Sequence, residues 1–189
     1  SGQLADLMFS KESNEIGDVL APQKLLTIAQ TEVQHISTLE GHREALVKAF
    51  NDATERLLLV SPFLSINAVN KDNIISLVKA AMSRNVDINI VTCAENIVTS
   101  GTRARDAVTA LEATGATITK KSRIHNKTLA VDSKTLIEGS FNWLSASRDE
   151  KFSQQERSFA YHGEKAGHLI QSAWDDAMSK DKGSQNKRT

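Results

Sequence analysis

Apolar residues in this chain recur at two spacings, and the alternation between them predicts its elements. HREALVKAFNDATE (42–55) sets Leu46, Val47, Phe50 and Ala53 on one helical face. RLLLVSPFL (56–64) then reads as a buried strand stopped at Ser61-Pro62. DNIISLVKAAMSR (72–84) predicts an amphipathic helix, VDINIVTC (86–93) a strand, and GTRARDAVTALEATG (101–115) a helix ended by Gly115. ATITK (116–120) is a short strand. TLAVD and LIEGSFN form a strand pair turning at Asp132-Ser133-Lys134, ERSFAYHG (156–163) a last strand, and GEKAGHLIQSAWDDAMSK (163–180) a closing helix.

Strands alternating with helices, followed by a run of strands, predict an α/β fold: a mixed central β-sheet flanked by helices on both faces, in a single domain. Residues 1–40 read as a polar, helical N-terminal extension broken at Pro22, 41–180 as the folded domain, and 181–189 as a disordered tail. There is no internal repeat.

Composition narrows the reading only slightly. The chain has 189 residues, 40% of them apolar, enough for a core without disulfides. No stretch approaches the ~20 apolar residues of a membrane span, and the first residues lack the pattern of a secretory signal. The lone Cys93, at the end of a predicted strand, reads as a core thiol and fits a reducing cytoplasm. Lys and Arg total 23 and Asp and Glu total 23, so overall charge gives no argument for a nucleic-acid partner. Local charge does, since Lys120, Lys121, Arg123 and Lys127 gather around His125. Arg103 and Arg105 read as a solvated helix face, and His42 as a surface histidine or part of a cleft.

The chemistry concentrates in IHNKTLAVDSKTLIEGSFNW (124–143). His125 and Lys127 are two residues apart, so on a strand they would share a face, and Ser140 and Asn142 repeat that spacing. If the two strands pair, four polar side chains converge, with Gly139 permitting close approach of backbone or a phosphate. Such a set suits a phosphodiester, whose negative charge must be neutralised before a nucleophile can attack. A lysine ammonium about 4 Å away supplies up to ~4 kcal/mol at an effective dielectric of 20. Ser140 and Asn142 would add hydrogen bonds. A histidine can be nucleophile or acid near neutral pH, but one imidazole cannot readily be both in a single step. A second imidazole is needed. Trp143 would pack beneath the site or stack on a base, and Asp132 would support the turn. No metal-ligand spacing stands out, so neither metal nor cofactor is expected.

The order H-x-K-x4-D-x6-G-S-x-N, as His125, Lys127, Asp132, Gly139, Ser140 and Asn142, resembles the phospholipase D superfamily. GSFNW is most similar to its small bacterial endonucleases. The resemblance implies a phosphohistidine mechanism with two such motifs, which the small nucleases assemble by dimerising. His35, His42, His162 and His168 lack a lysine two residues on, so the second imidazole would be His125 of another copy. It also implies a glutamate that orients the histidine, for which Glu156 is the match.

The expected activity is therefore a metal-independent endonuclease acting on DNA, with RNA as a further substrate, in a homodimer with a shared active site and without membrane attachment. It could serve as the effector module of a larger restriction or defence protein. The alternatives are a lipid phosphodiesterase or phosphatidyltransferase, and a non-catalytic nucleic-acid-binding homodimer.

Overall fold

Residues 57–60, LLLV, are all buried, as in a strand covered on both faces. They lie in β2 (Arg56–Val60), within a sheet that has seven strands among the described residues, in the order β1 (Glu32–Ile36), β7 (Ser158–His162), β6 (Thr135–Gly139), β5 (Thr128–Val131), β2, β3 (Asp87–Cys93) and β4 (Thr117–Lys121). The computed structural model describes residues 32–163 and 166–179. β3 and β4 continue the sheet parallel to β2. On the other side β5, β6, β7 and β1 are antiparallel neighbours in turn. Parallel neighbours need crossovers. α2 (Ile66–Lys71) and α3 (Ile74–Met82) join β2 to β3, and α4 (Ala94–Thr99) and α5 (Thr102–Glu112) join β3 to β4.

Period-two alternation divides the core. Leu57, Leu59, Ile88, Ile90 and Leu129 face a cluster that includes Leu46 and Phe50 of α1 (Leu39–Asp52), Val78 of α3 and Leu111 of α5. Leu58, Val60, Val91, Ala130 and Leu136 face Ile170, Trp174 and Ala177 of α6 (Gly167–Met178). Helices thus cover both faces of a mixed sheet, as the sequence predicts. Among the described residues no helix is long and apolar enough to cross a membrane.

Several local expectations need correction. Glu32–Ile36, placed in a helical extension, is a strand paired to β7, because its partner supplies a hydrogen-bonding edge that local sequence does not reveal. The rest of that extension, residues 1–31, and the tail lie outside the described residues. The helix predicted over 72–84 starts at Ile74, because Asn73 adopts φ 52°, a left-handed turn that asparagine tolerates, and separates it from α2. α2 and α4 have too few residues for a clear periodic signal.

Register also fixes where the site lies. Val60 pairs with Thr128, Thr128 with Glu138, and Gly139 with Ser158. The carboxyl ends of β2, β3, β4 and β6 and the starts of β5 and β7 therefore share one end of the sheet. Open α/β sheets characteristically bind ligands outside the carboxyl ends of their parallel strands.

Candidate active site

At that end His125 and Lys127 occupy the loop just before β5, not a strand, so the same-face argument from strand periodicity does not apply. The loop itself brings them together. Lys127 is 7% exposed, and its Nζ donates to the His125 carbonyl at 2.7 Å. The same ammonium lies 3.4 Å from Nδ1 and 3.5 Å from Nε2 of His125. The histidine is exposed. The pair thus presents an accessible imidazole over a largely desolvated cation. Burial pulls the lysine pKa below its ordinary value, while the charge of Glu156 pulls it back up.

Glu156 therefore acts on Lys127, and also on His42. Among the described residues, the His125 ring meets Lys127 by hydrogen-bond geometry and does not meet Glu156. His42 is fully buried, with burial lowering its pKa, and stacks on Phe141 at 4.3 Å between ring centroids. With Nδ1 donating to the Thr38 carbonyl at 2.7 Å, Nε2 accepts from the Ser158 hydroxyl at 2.9 Å. A supporting role beneath β7 accounts for these bonds.

Ser140 and Asn142 lie beyond the end of β6, again outside a strand. Arg157 N donates to Ser140 Oγ at 3.0 Å, and Ser140 N to Arg157 O at 2.9 Å, so this serine extends the join between β6 and β7. Gly139 is required by the same join: a Cβ there would collide with the Arg157 carbonyl and the Ser158 backbone. The close approach it permits is backbone to backbone. Asn142 is half-buried, and its Oδ1 is buried with no hydrogen-bond partner. Trp143 is fully buried against Phe141 and His42, which removes it as a base-stacking surface.

The remaining predicted residues disperse. Asp132 sits at the far end of β5, five residues from Lys127 or about 16 Å along a strand. It is 3% exposed and accepts from Thr54, Glu55 and Arg56. Lys121 is buried and donates to the Asp176 and Ala177 carbonyls at the end of α6, both at 3.1 Å. Lys120 pairs with Glu112 at 2.9 Å. Arg123 has an exposed side chain and φ 57°, and its amide donates to Glu95 Oε2 at 3.3 Å.

Three supports could not be read from sequence spacing. Glu95 on α4 holds Arg123 N and the Cys93 thiol, fixing the approach to His125. Asp72 bridges Arg43 and Arg148, each at 2.8 Å, and Arg148 also donates to the Trp143 and Ala146 carbonyls. Ser61 Oγ accepts from Leu144 N at 3.1 Å. All three join segments distant in sequence. Among the described residues, no group of three or more His, Cys, Asp or Glu is placed to hold a metal ion.

A cleft of 490 Å³ is lined by Asn142 and by Glu156, whose charge acts on Lys127, together with Phe63, Ser65, Arg103 and Phe152; His125 and Lys127 do not line it. The arrangement sets an exposed imidazole over a buried ammonium at the end of the sheet.

The family described as "Cardiolipin synthase, PLD-like domain" matches residues 46–157. No curated protein sequence matches. Among solved structures, the phospholipase D family member Nuc from Salmonella typhimurium is similar, with a TM-score of 0.61 and 22% identity over 78% of this chain and 93% of its own. NucT from Helicobacter pylori gives 0.58 and 12%, over 78% of this chain and 96% of its own. Phosphatidylserine synthase from Haemophilus influenzae gives 0.58 and 7%, over 83% of this chain but 41% of its own.

Proposed function

This chain belongs to the phospholipase D superfamily, and we propose that within it the protein is a metal-independent nuclease working through a site shared between two copies. The observation that carries this reading is the Lys127 ammonium, nearly buried and 3.4 Å from an exposed His125 ring nitrogen. A phosphoryl oxygen drawn to that ammonium brings phosphorus within reach of the imidazole. Because the sequence has one H-x-K pair, a single copy supplies one imidazole where the step needs two. The match extends over nearly the whole of Nuc and NucT but less than half of phosphatidylserine synthase, which supports placing this domain beside the smaller members of the superfamily.

In this scheme one His125 attacks phosphorus, forming a P–N bond as the P–O bond to the leaving group breaks. The partner's His125 gives its proton to the departing oxygen. It then takes a proton from water, whose oxygen attacks phosphorus and releases the first imidazole. Lys127 holds the phosphoryl oxygens in both steps, and Asn142 adds a side-chain amide from the cleft wall.

Glu156 stabilises the charged form of Lys127, so Glu156→Gln removes the negative charge that opposes the effect of burial. The expected result is an alkaline limb of the pH–rate profile displaced to lower pH, read from kcat/KM across about pH 6–10. An unchanged limb would remove Glu156 from the field at Lys127.

The activity itself is tested by incubating single-stranded DNA, duplex DNA, RNA and phosphatidyl lipids with the protein in excess EDTA. Cutting of nucleic acid that disappears with His125→Ala supports the nuclease. Turnover of the lipid alone transfers the same chemistry to the alternative substrate class.

A further inference from the structure

We propose that the cleft lined by Asn142 and Glu156 is a subsite for an unpaired nucleotide of the strand being cut, which makes single-stranded nucleic acid the preferred substrate class. The proposal rests on the nuclease reading and deepens it. Three observations carry it.

The first is size and position. The 490 Å³ space is lined by Asn142, from the motif itself, and by Glu156, whose charge acts on Lys127, and its volume suits a ligand of nucleotide size and not a duplex. The second is exposed aromatic surface. Phe152 is 74% exposed in a short 3₁₀ turn, Glu150–Phe152, and Phe63 is 36% exposed; both line the cleft. Large aromatic side chains left in water beside a phosphodiester site offer the π-faces on which unpaired bases stack. The serine-rich wall, including Ser65, Ser145 and Ser147, adds hydroxyl groups for the sugar and base edges.

The third is positive charge held outside any ion pair among the described residues, in hollows that Glu156 and Asp149 also line. Past Arg103 the cleft meets a second hollow of 340 Å³ that shares Ser65 and Arg103 and reaches Lys71. Among the described residues neither Arg103 nor Lys71 has a carboxylate within ion-pair distance, whereas Arg148 in the same hollow is held by Asp72. A strand leaving His125 along this course places a base against Phe152 or Phe63 and its next phosphates at Arg103 and then Lys71. Arg103, expected as a solvated helix face, becomes a phosphate contact.

The test is equilibrium binding of a fluorescent single-stranded DNA oligonucleotide and its duplex, over a range of salt, to the full chain carrying His125→Ala. Added Phe152→Ala is expected to weaken single-strand binding about tenfold and to lower the preference over duplex. Added Arg103→Gln is expected to weaken binding and reduce the slope of log affinity against log salt by about 0.7. Val98→Ser, on an exposed residue outside the cleft, serves as the control with unchanged affinity. Wild-type-like binding by Phe152→Ala, an unaltered salt slope in Arg103→Gln, or no single-strand binding by the parent chain overturns the subsite. Cleavage is assayed separately in chains that retain His125. Binding that depends on these residues without cleavage would sink the nuclease reading alone; cleavage with indifferent binding would sink the subsite alone.

Discussion

His125→Ala reduces phosphodiester cleavage by about 10⁴-fold or more and leaves the protein folded, because the scheme has no other nucleophile. The two halves of this result have separate causes. The ring is exposed on a loop, and its hydrogen-bond contacts are the long ones to Lys127, so truncation empties no core space. Cleavage loses both of its roles at once, since every site in a homodimer then lacks nucleophile and acid. Cleavage rates in EDTA, beside thermal unfolding of both proteins, check the prediction. Substantial residual cutting by the folded variant would place the chemistry on another residue.

Asp132→Ala has the opposite signature: it destabilises the fold by about 3–5 kcal/mol while molecules that remain folded keep their activity. The carboxylate accepts from Thr54 Oγ and from the backbone amides of Thr54, Glu55 and Arg56 at 2.8–3.1 Å. Alanine leaves those amides without their acceptor just where the chain enters β2, and the site lies about 16 Å away along β5. Acid should expose the same interaction. Burial pushes the Asp132 pKa up, but the hydrogen bonds from Arg56, Glu55 and Thr54 outweigh it and hold the group below its ordinary value. A depressed carboxyl contributes stability that is fully present above its unfolded pKa and is lost as pH falls through the folded value. Urea unfolding should therefore show a wild-type advantage over Asp132→Ala that is constant above about pH 5 and shrinks in stronger acid. An advantage independent of pH would detach the effect from the carboxylate's charge.

These two variants separate parts of one motif that look alike in sequence. The H-x-K spacing is legible because both residues sit on one short loop, where local chain geometry is enough to bring them together. Strand periodicity was the wrong reason for it, since neither residue lies in β5. Asp132 belongs to the same linear pattern, yet β5 runs between the pair and this aspartate and carries it to the opposite end of the sheet. Gly139 and Ser140 are similarly tied to β7, a partner defined only by pairing.

The sheet itself was readable from the alternating elements and the fully apolar LLLV segment. β1 was not, because a strand exposed along most of its length carries little hydrophobic pattern and takes its form from β7. The charged residues show the same limit. Lys121 resembles Lys127 in sequence, but burial against the end of α6 gives it a structural task. Arg103 has no such partner and faces the cleft.

The shared site is tested most directly by mixing wild-type and His125→Ala chains in equal amounts, allowing subunits to exchange, and measuring cleavage at fixed total protein. If each reaction needs an imidazole from both copies, mixed dimers are inactive and activity falls to about a quarter of the wild-type value, the fraction of all-wild-type pairs. Activity of about half would mean that each copy works alone, and would contradict the account.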